Sequence, residues 1–103
     1  MISWKETDVL LIINPRAGGR RGERAVAKVI RAARSKFSRL DILFTGKPGD
    51  GREHAAKAVA EGFSAVLCAG GDGTNNEVIN GLAGSRVPFG IIPIGTANVL
   101  APA

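Results

Sequence analysis

Ser64-Ala65-Val66-Leu67-Cys68-Ala69-Gly70-Gly71-Asp72-Gly73-Thr74-Asn75-Asn76-Glu77-Val78 is the stretch that decides the fold of this 103-residue chain. Its first six residues form a short, continuous apolar run, the pattern of a strand buried on both faces of a parallel sheet. At its far end Val78, Ile79 and Leu82 recur at helical spacing, with Gly84 as a stop. Between the two, Gly70, Gly71 and Gly73 let the backbone turn tightly and bring its amides close to an anion. The helix that follows adds unpaired N–H groups and a partial positive charge. A lone GxG would read as an ordinary strand-to-helix turn. GGDGTxxE in this setting reads as a phosphate-cradling loop from Gly70 to Glu77, with Asp72 placed to face a metal ion or a hydroxyl rather than a core.

Working outward, Asp8-Val9-Leu10-Leu11-Ile12-Ile13 is a second buried strand, ended by the loop Asn14-Pro15-Arg16-Ala17-Gly18-Gly19. A helix from about Arg20 to Phe37 follows, then a strand over Leu40–Phe44 that stops at Thr45, and a loop from Gly46 to Gly51. A second helix, about Arg52 to Glu61, is expected to turn Ala55, Ala56, Val59 and Ala60 inward. The last strand is Val87–Pro93, leading into Ile94-Gly95-Thr96-Ala97-Asn98. About four strands with three helical crossovers predict an α/β fold: three layers, α/β/α, around an open, mostly parallel, Rossmann-like sheet. In such sheets ligands gather at the carboxyl ends of the strands. The polar, glycine-bearing segments Asn14–Gly19, Thr45, Gly70–Glu77 and Gly95–Asn98 all fall there, so four distant segments are expected to share one rim.

Composition narrows the function. The 45% hydrophobic share suits a globular domain, no apolar run nears the roughly 20 residues of a membrane span, and the first residues lack a secretory pattern, so a cytoplasmic location is the default expectation. Cys68 is the only cysteine, which excludes an internal disulfide, and its apolar strand marks a buried structural thiol. The formal charge is +5, and nine of the 14 basic residues lie between Arg16 and Arg39. On the first helix Arg20, Arg24, Lys28, Arg31 and Arg34 fall on one face, opposite Val26, Val29, Ile30, Ala33 and Phe37. That basic face reads as a solvated surface, with peripheral attraction to an anionic membrane as the functional alternative. Nucleic acid is disfavoured, since there is no aromatic platform to stack bases. His54 reads as a surface residue, with a nucleotide base as its alternative partner, and Trp4 as a packing anchor.

Asn14-Pro15-x-x-Gly18, GGDGTxNEV at Gly70–Val78 and Pro93-x-Gly95-Thr96-Ala97-Asn98, in this order and spacing, resemble the N-terminal, nucleotide-binding domain of the diacylglycerol kinase catalytic family, which includes bacterial lipid kinases and sphingosine kinases. The resemblance covers nearly the whole chain. It implies ATP-dependent phosphorylation of a lipid hydroxyl with Mg2+, diacylglycerol- or sphingosine-like, in a two-domain enzyme. Carried onto this chain, it implies that Asn14 and Arg16 meet the nucleotide and that Thr45 lies beside its phosphates or ribose. It further implies that Gly70, Gly71, Asp72, Gly73, Thr74, Asn75 and Asn76 hold the phosphates, that Glu77 fixes the loop or the ribose, and that Thr96 closes the far side. Asp72 matches the position proposed to activate the acceptor hydroxyl.

Family members continue into a β-rich domain that supplies the lipid pocket. The chain is therefore expected to be one truncated domain, residues 1–103, with little turnover alone, and its uncovered sheet edge leaves room for a homo-oligomer. Two alternatives stand beside the lipid kinase: a non-catalytic module binding nucleotide or an anionic surface, and an NAD kinase-like enzyme, which shares the GGDG core. The NEV extension with NPxxG and PxGTAN fits the lipid kinases better.

Overall fold

The computed structural model describes residues 7–17 and 22–93. Arg20, Trp4, Gly18 and the segment with Gly95, Thr96 and Asn98 lie outside the described residues. In chain order the elements are β1 (Asp8–Ile13), α1 (Gly22–Lys36), β2 (Arg39–Phe44), α2 (Asp50–Glu61), β3 (Ala65–Gly70), α3 (Asp72–Leu82) and β4 (Phe89–Pro93). The four strands form one sheet in the order β2-β1-β3-β4, and every pairing is parallel.

That order explains the layers. The chain leaves β1 toward β2 on one side and returns past it to β3 on the other, so right-handed crossovers send α1 to one face and α2 and α3 to the opposite face. The core divides accordingly. Leu10, Ile12, Val66 and Cys68 pack with Ala55, Ala58, Val78 and Leu82, whereas Leu11, Ile13 and Ala69 pack with Val29 and Ala33 of α1. Neighbouring residues of β1 thus serve opposite cores, which is why the strand reads as an unbroken apolar run. Burying each Leu, Ile or Val contributes about 1.5–3 kcal/mol before chain entropy is counted.

α1 presents Val29 and Ala33 to the sheet, flanked by the half-buried Val26, Ile30 and Phe37, and leaves Arg24, Lys28, Arg31 and Arg34 exposed. The amphipathic reading of this helix holds within the described residues.

Two expectations need correction. The inward face of α2 is Gly51, Ala55 and Ala58, not Ala56, Val59 and Ala60, which are exposed. Small residues surround this helix, so their spacing carries little directional signal. Its orientation comes instead from close packing on α3: a Cβ at Gly81 would collide with the Arg52 carbonyl oxygen and lie 2.7 Å from Ala55 Cβ. The second correction concerns the glycine loop. Only Gly71 separates β3 from α3, so Asp72 to Glu77 form the first turns of a helix. Of the apolar residues at helical spacing on that helix, Val78 and Leu82 are buried and Ile79 is 49% exposed.

Candidate functional site

The site lies where the strand order reverses. Ile13 of β1 stands beside Phe44 of β2 and Ala69 of β3. The ladders extend one residue further, with the Asn14 amide donating to the Ala69 carbonyl and the Thr45 amide to the Ile13 carbonyl, both at 2.9 Å. Asn14, Thr45 and Gly70 therefore emerge at one level of the sheet. This is the crevice where open α/β sheets bind ligands.

Asn14 ties two of these strand ends together. Its Nδ2 donates to Thr74 Oγ1 at 3.1 Å, across 60 residues of sequence, while its Oδ1 accepts from the Arg16 amide at 2.9 Å and shapes the turn after β1. Thr74 is buried although polar. Gly70 makes room for it, since a Cβ there would lie 2.9 Å from Thr74 Cβ.

α3 begins at this point, and among the described residues nothing caps its N-terminus. The cap residue Gly71 is extended and supplies no side-chain hydrogen bond. The first contact back along the helix is the Asn75 amide to the Gly71 carbonyl at 3.0 Å. The amides of Asp72, Gly73 and Thr74 thus have no partner inside the helix, and the helix dipole makes their end partly positive. At Gly71 and Gly73 a Cβ would meet nothing within 4 Å among the described residues.

The facing wall is the loop between β2 and α2. Gly49 takes a left-handed φ of 93°, which the absence of a Cβ permits. Asp50 Oδ2 accepts from the Gly46 amide at 2.7 Å and the Lys47 amide at 3.0 Å. These bonds, led by that from Gly46, hold the Asp50 carboxyl below its ordinary range. Glu77 reaches over from α3, its two oxygens accepting from the Gly49 amide at 3.1 Å and the Gly51 amide at 3.0 Å. His54 Nε2 lies 3.0 Å from the Phe44 carbonyl. A carbonyl only accepts, so the imidazole donates there, and the ring holds the end of β2 rather than facing the crevice.

Together these walls enclose a cavity of about 250 Å³ lined by Asn14, Arg16, Thr45, Lys47, Thr74 and Glu77, with Gly46, Pro48 and Gly73 between them. Among the expected site residues, Asn14, Arg16, Thr45, Gly73, Thr74 and Glu77 come together here. Gly70 lies buried beneath, and Gly71 and Asp72 stand exposed at the start of α3. Asn76 is exposed outside the cavity, and the partly buried Asn75 keeps an Oδ1 with no partner among the described residues. Sequence reasoning missed Lys47 and Asp50. Their signal was the string Gly46-Lys47-Pro48-Gly49-Asp50, in which an aspartate follows a turn whose amides it can accept.

Among the described residues no three His, Cys, Asp or Glu side chains cluster as a metal site, and no helix is long and apolar enough to cross a membrane. Cys68 is buried. Burial, and next the Glu77 charge, push its thiol up to about 11, so it is inert at neutral pH.

With this geometry in place, the chain can be set against known proteins. Residues 8–103 match the diacylglycerol kinase catalytic domain. A diacylglycerol kinase of Staphylococcus saprophyticus is 37% identical over 90 residues, which are 85% of this chain and 30% of that protein. One from Bacillus subtilis is 36% identical over 95 residues, 90% of this chain and 31% of the relative. A crystal structure of a diacylglycerol kinase from Bacillus anthracis superposes with a TM-score of 0.78 at 35% identity, covering 89% of this chain and 34% of the other. The chain thus spans about a third of the length of these relatives.

Proposed function

Because the chain belongs to the diacylglycerol kinase catalytic domain family, we propose that it is the nucleotide-binding part of an ATP-dependent kinase that phosphorylates a lipid hydroxyl. The observation that carries this reading is Gly73. Glycine within a helix costs up to about 1 kcal/mol relative to alanine, and among the described residues no atom near its missing Cβ accounts for it. The same holds at Gly71. Close approach of a ligand to the backbone would supply the reason, and the amides of Asp72, Gly73 and Thr74, without a partner inside the helix, favour an anion.

In this reading the phosphates of ATP sit on the N-terminus of α3, with Arg16 supplying positive charge and Asn14 and Thr74 holding the two strand ends in register. Phosphoryl transfer consists mainly of positioning and charge stabilisation, which preorganised amides and cations provide. At about 250 Å³ the cavity is smaller than sites that enclose whole ligands, which run from about 300 Å³ upward, so it suits the polyphosphate end of a nucleotide. Asp72, exposed at the first position of α3, accepts the proton of the attacking hydroxyl as the bond to phosphorus forms. Magnesium commonly binds through one or two carboxylates together with substrate phosphates. Held chiefly by the phosphates at this end of α3, the metal would neutralise their charge and leave the Asp72 carboxylate to take the proton. The lipid would be held largely by parts of the relatives' length that this chain does not span.

The test is Gly73→Leu, which removes the open approach while introducing a better helix former. Calorimetry should show wild-type binding of ATP and ADP lost by tenfold or more in the variant, with thermal stability held or raised. Equal affinity in both proteins, or no wild-type binding at millimolar nucleotide, would overturn the reading. The exposed Arg24, Lys28, Arg31 and Arg34 support an accompanying contact with anionic membrane. Cosedimentation with anionic vesicles should then fall with added salt and with charge reversal of that face, and association unchanged by both would refute it.

A further inference from the structure

The loop between β2 and α2 is held by more bonds than a turn requires. Asp50 takes the amides of Gly46 and Lys47, Glu77 takes those of Gly49 and Gly51, His54 donates to the Phe44 carbonyl, and the Thr45 amide is bound to β1. Side chains from two helices thus hold four amides between Gly46 and Gly51 and the Phe44 carbonyl before them. What this frame presents to the cavity is Lys47, on the wall facing the first turn of α3.

Lys47 has no ion-pair partner among the described residues. The one acid lining the cavity, Glu77, directs both oxygens at backbone amides. Nearby Asp50 accepts two amides through Oδ2, feels the Lys47 charge without forming an ion pair with it, and does not line the cavity. Lys47, Arg16 and the open helix end therefore give the cavity an excess of positive character, and the fixed backbone lowers the entropy cost of using a long side chain as a ligand.

We infer that Lys47 contacts the phosphates of the bound nucleotide and that Glu77 is its positioning residue, acting through the Gly49 and Gly51 amides rather than by touching the nucleotide. This rests on the nucleotide reading above and adds to it a cation and a division of labour. A phosphate oxygen accepts from the Lys47 ammonium, while the Glu77 carboxylate keeps the loop closed on α3.

The experiment is calorimetric titration of the chain with ADP and with adenosine, using Lys47→Met, Lys47→Arg, Glu77→Gln and the double variant Lys47→Met/Glu77→Gln. Lys47→Met should weaken ADP about three- to tenfold, as expected for a partly solvated charge-assisted contact, and leave adenosine unchanged. Lys47→Arg should restore most of the affinity. Glu77→Gln places an NH2 against one of the two amides, so ADP should weaken to a similar degree, and the double variant should be no weaker than the poorer single variant. Unchanged ADP affinity in Lys47→Met would overturn the inference, and so would losses that multiply in the double variant, because Glu77 would then act independently of Lys47. Should Glu77→Gln fail to fold, Asp50→Asn loosens the same loop from its other anchor and takes its place in the cycle. If Gly73→Leu abolishes binding and Lys47→Met does not, this inference fails while the nucleotide reading stands. If wild type binds no ADP, both fall.

Discussion

Gly70→Ala offers a test in which the sign of the effect decides. Where an added methyl has room, replacing glycine by alanine stabilises a protein by about 0.4–1 kcal/mol, by restricting the unfolded chain. Gly70 has no such room. A Cβ would lie 2.9 Å from Thr74 Cβ and 3.2 Å from both Thr74 Cγ2 and Oγ1, and Thr74 Cβ is fixed to the first turn of α3, so rotation of the side chain cannot relieve it. Overpacking of this kind costs about 1–3 kcal/mol, and displacing Thr74 Oγ1 from Asn14 Nδ2 forfeits about 1 kcal/mol more. The net expectation is destabilisation by about 1–3 kcal/mol, or a fall in melting temperature of roughly 5–20 °C for a domain of this size. Urea denaturation of Gly70→Ala, measured in wild-type and Thr74→Ala backgrounds, provides the assay. The alanine at position 74 removes two of the three close atoms, so Gly70→Ala should cost less there. A variant as stable as wild type, or an equal cost in both backgrounds, would refute the proposed contact between the strand end and the helix start.

Two further predictions concern the fold. Gly81→Ala should destabilise by about 1–2 kcal/mol despite the better helix former, because its methyl meets the Arg52 carbonyl and Ala55 where α2 and α3 touch; thermal melting checks this, and unchanged stability would contradict it. Cys68 contributes to alkaline stability. Its folded-state value of about 11 lies above the unfolded 9.0, so the stability it contributes is complete below pH 9 and is lost as pH rises through 11, a change of about 3 kcal/mol. Denaturation curves from pH 8 to 11 should show this loss in wild type and not in Cys68→Ala.

Much of the fold was legible because its strands are buried on both faces. β1 follows the apolar run residue for residue, and α1 follows its charge pattern. The face of α2 was not legible, since alanines at 55, 56, 58 and 60 give no preferred side; contact between Gly81 and the start of α2 sets it instead. GGDGT reads as loop by composition, yet the chain needs only Gly71 to turn, and Asp72 onward is already helix. Within the site, the residue types at Asn14, Thr45 and Thr74 were readable one by one. The bond joining Asn14 to Thr74 and the reach of Glu77 to Gly49 and Gly51 depend on tertiary folding, and the frame around Lys47 came to light only through them.

The most direct measurement of the central claim is an amide chemical-shift titration of the chain with ATP, with and without magnesium. The account predicts saturable shifts concentrated at Gly71, Asp72, Gly73 and Thr74, with a second group at Asn14, Thr45 and Lys47. Absence of saturable shifts, or shifts confined to the basic face of α1 at Arg24, Lys28 and Arg31, would contradict it.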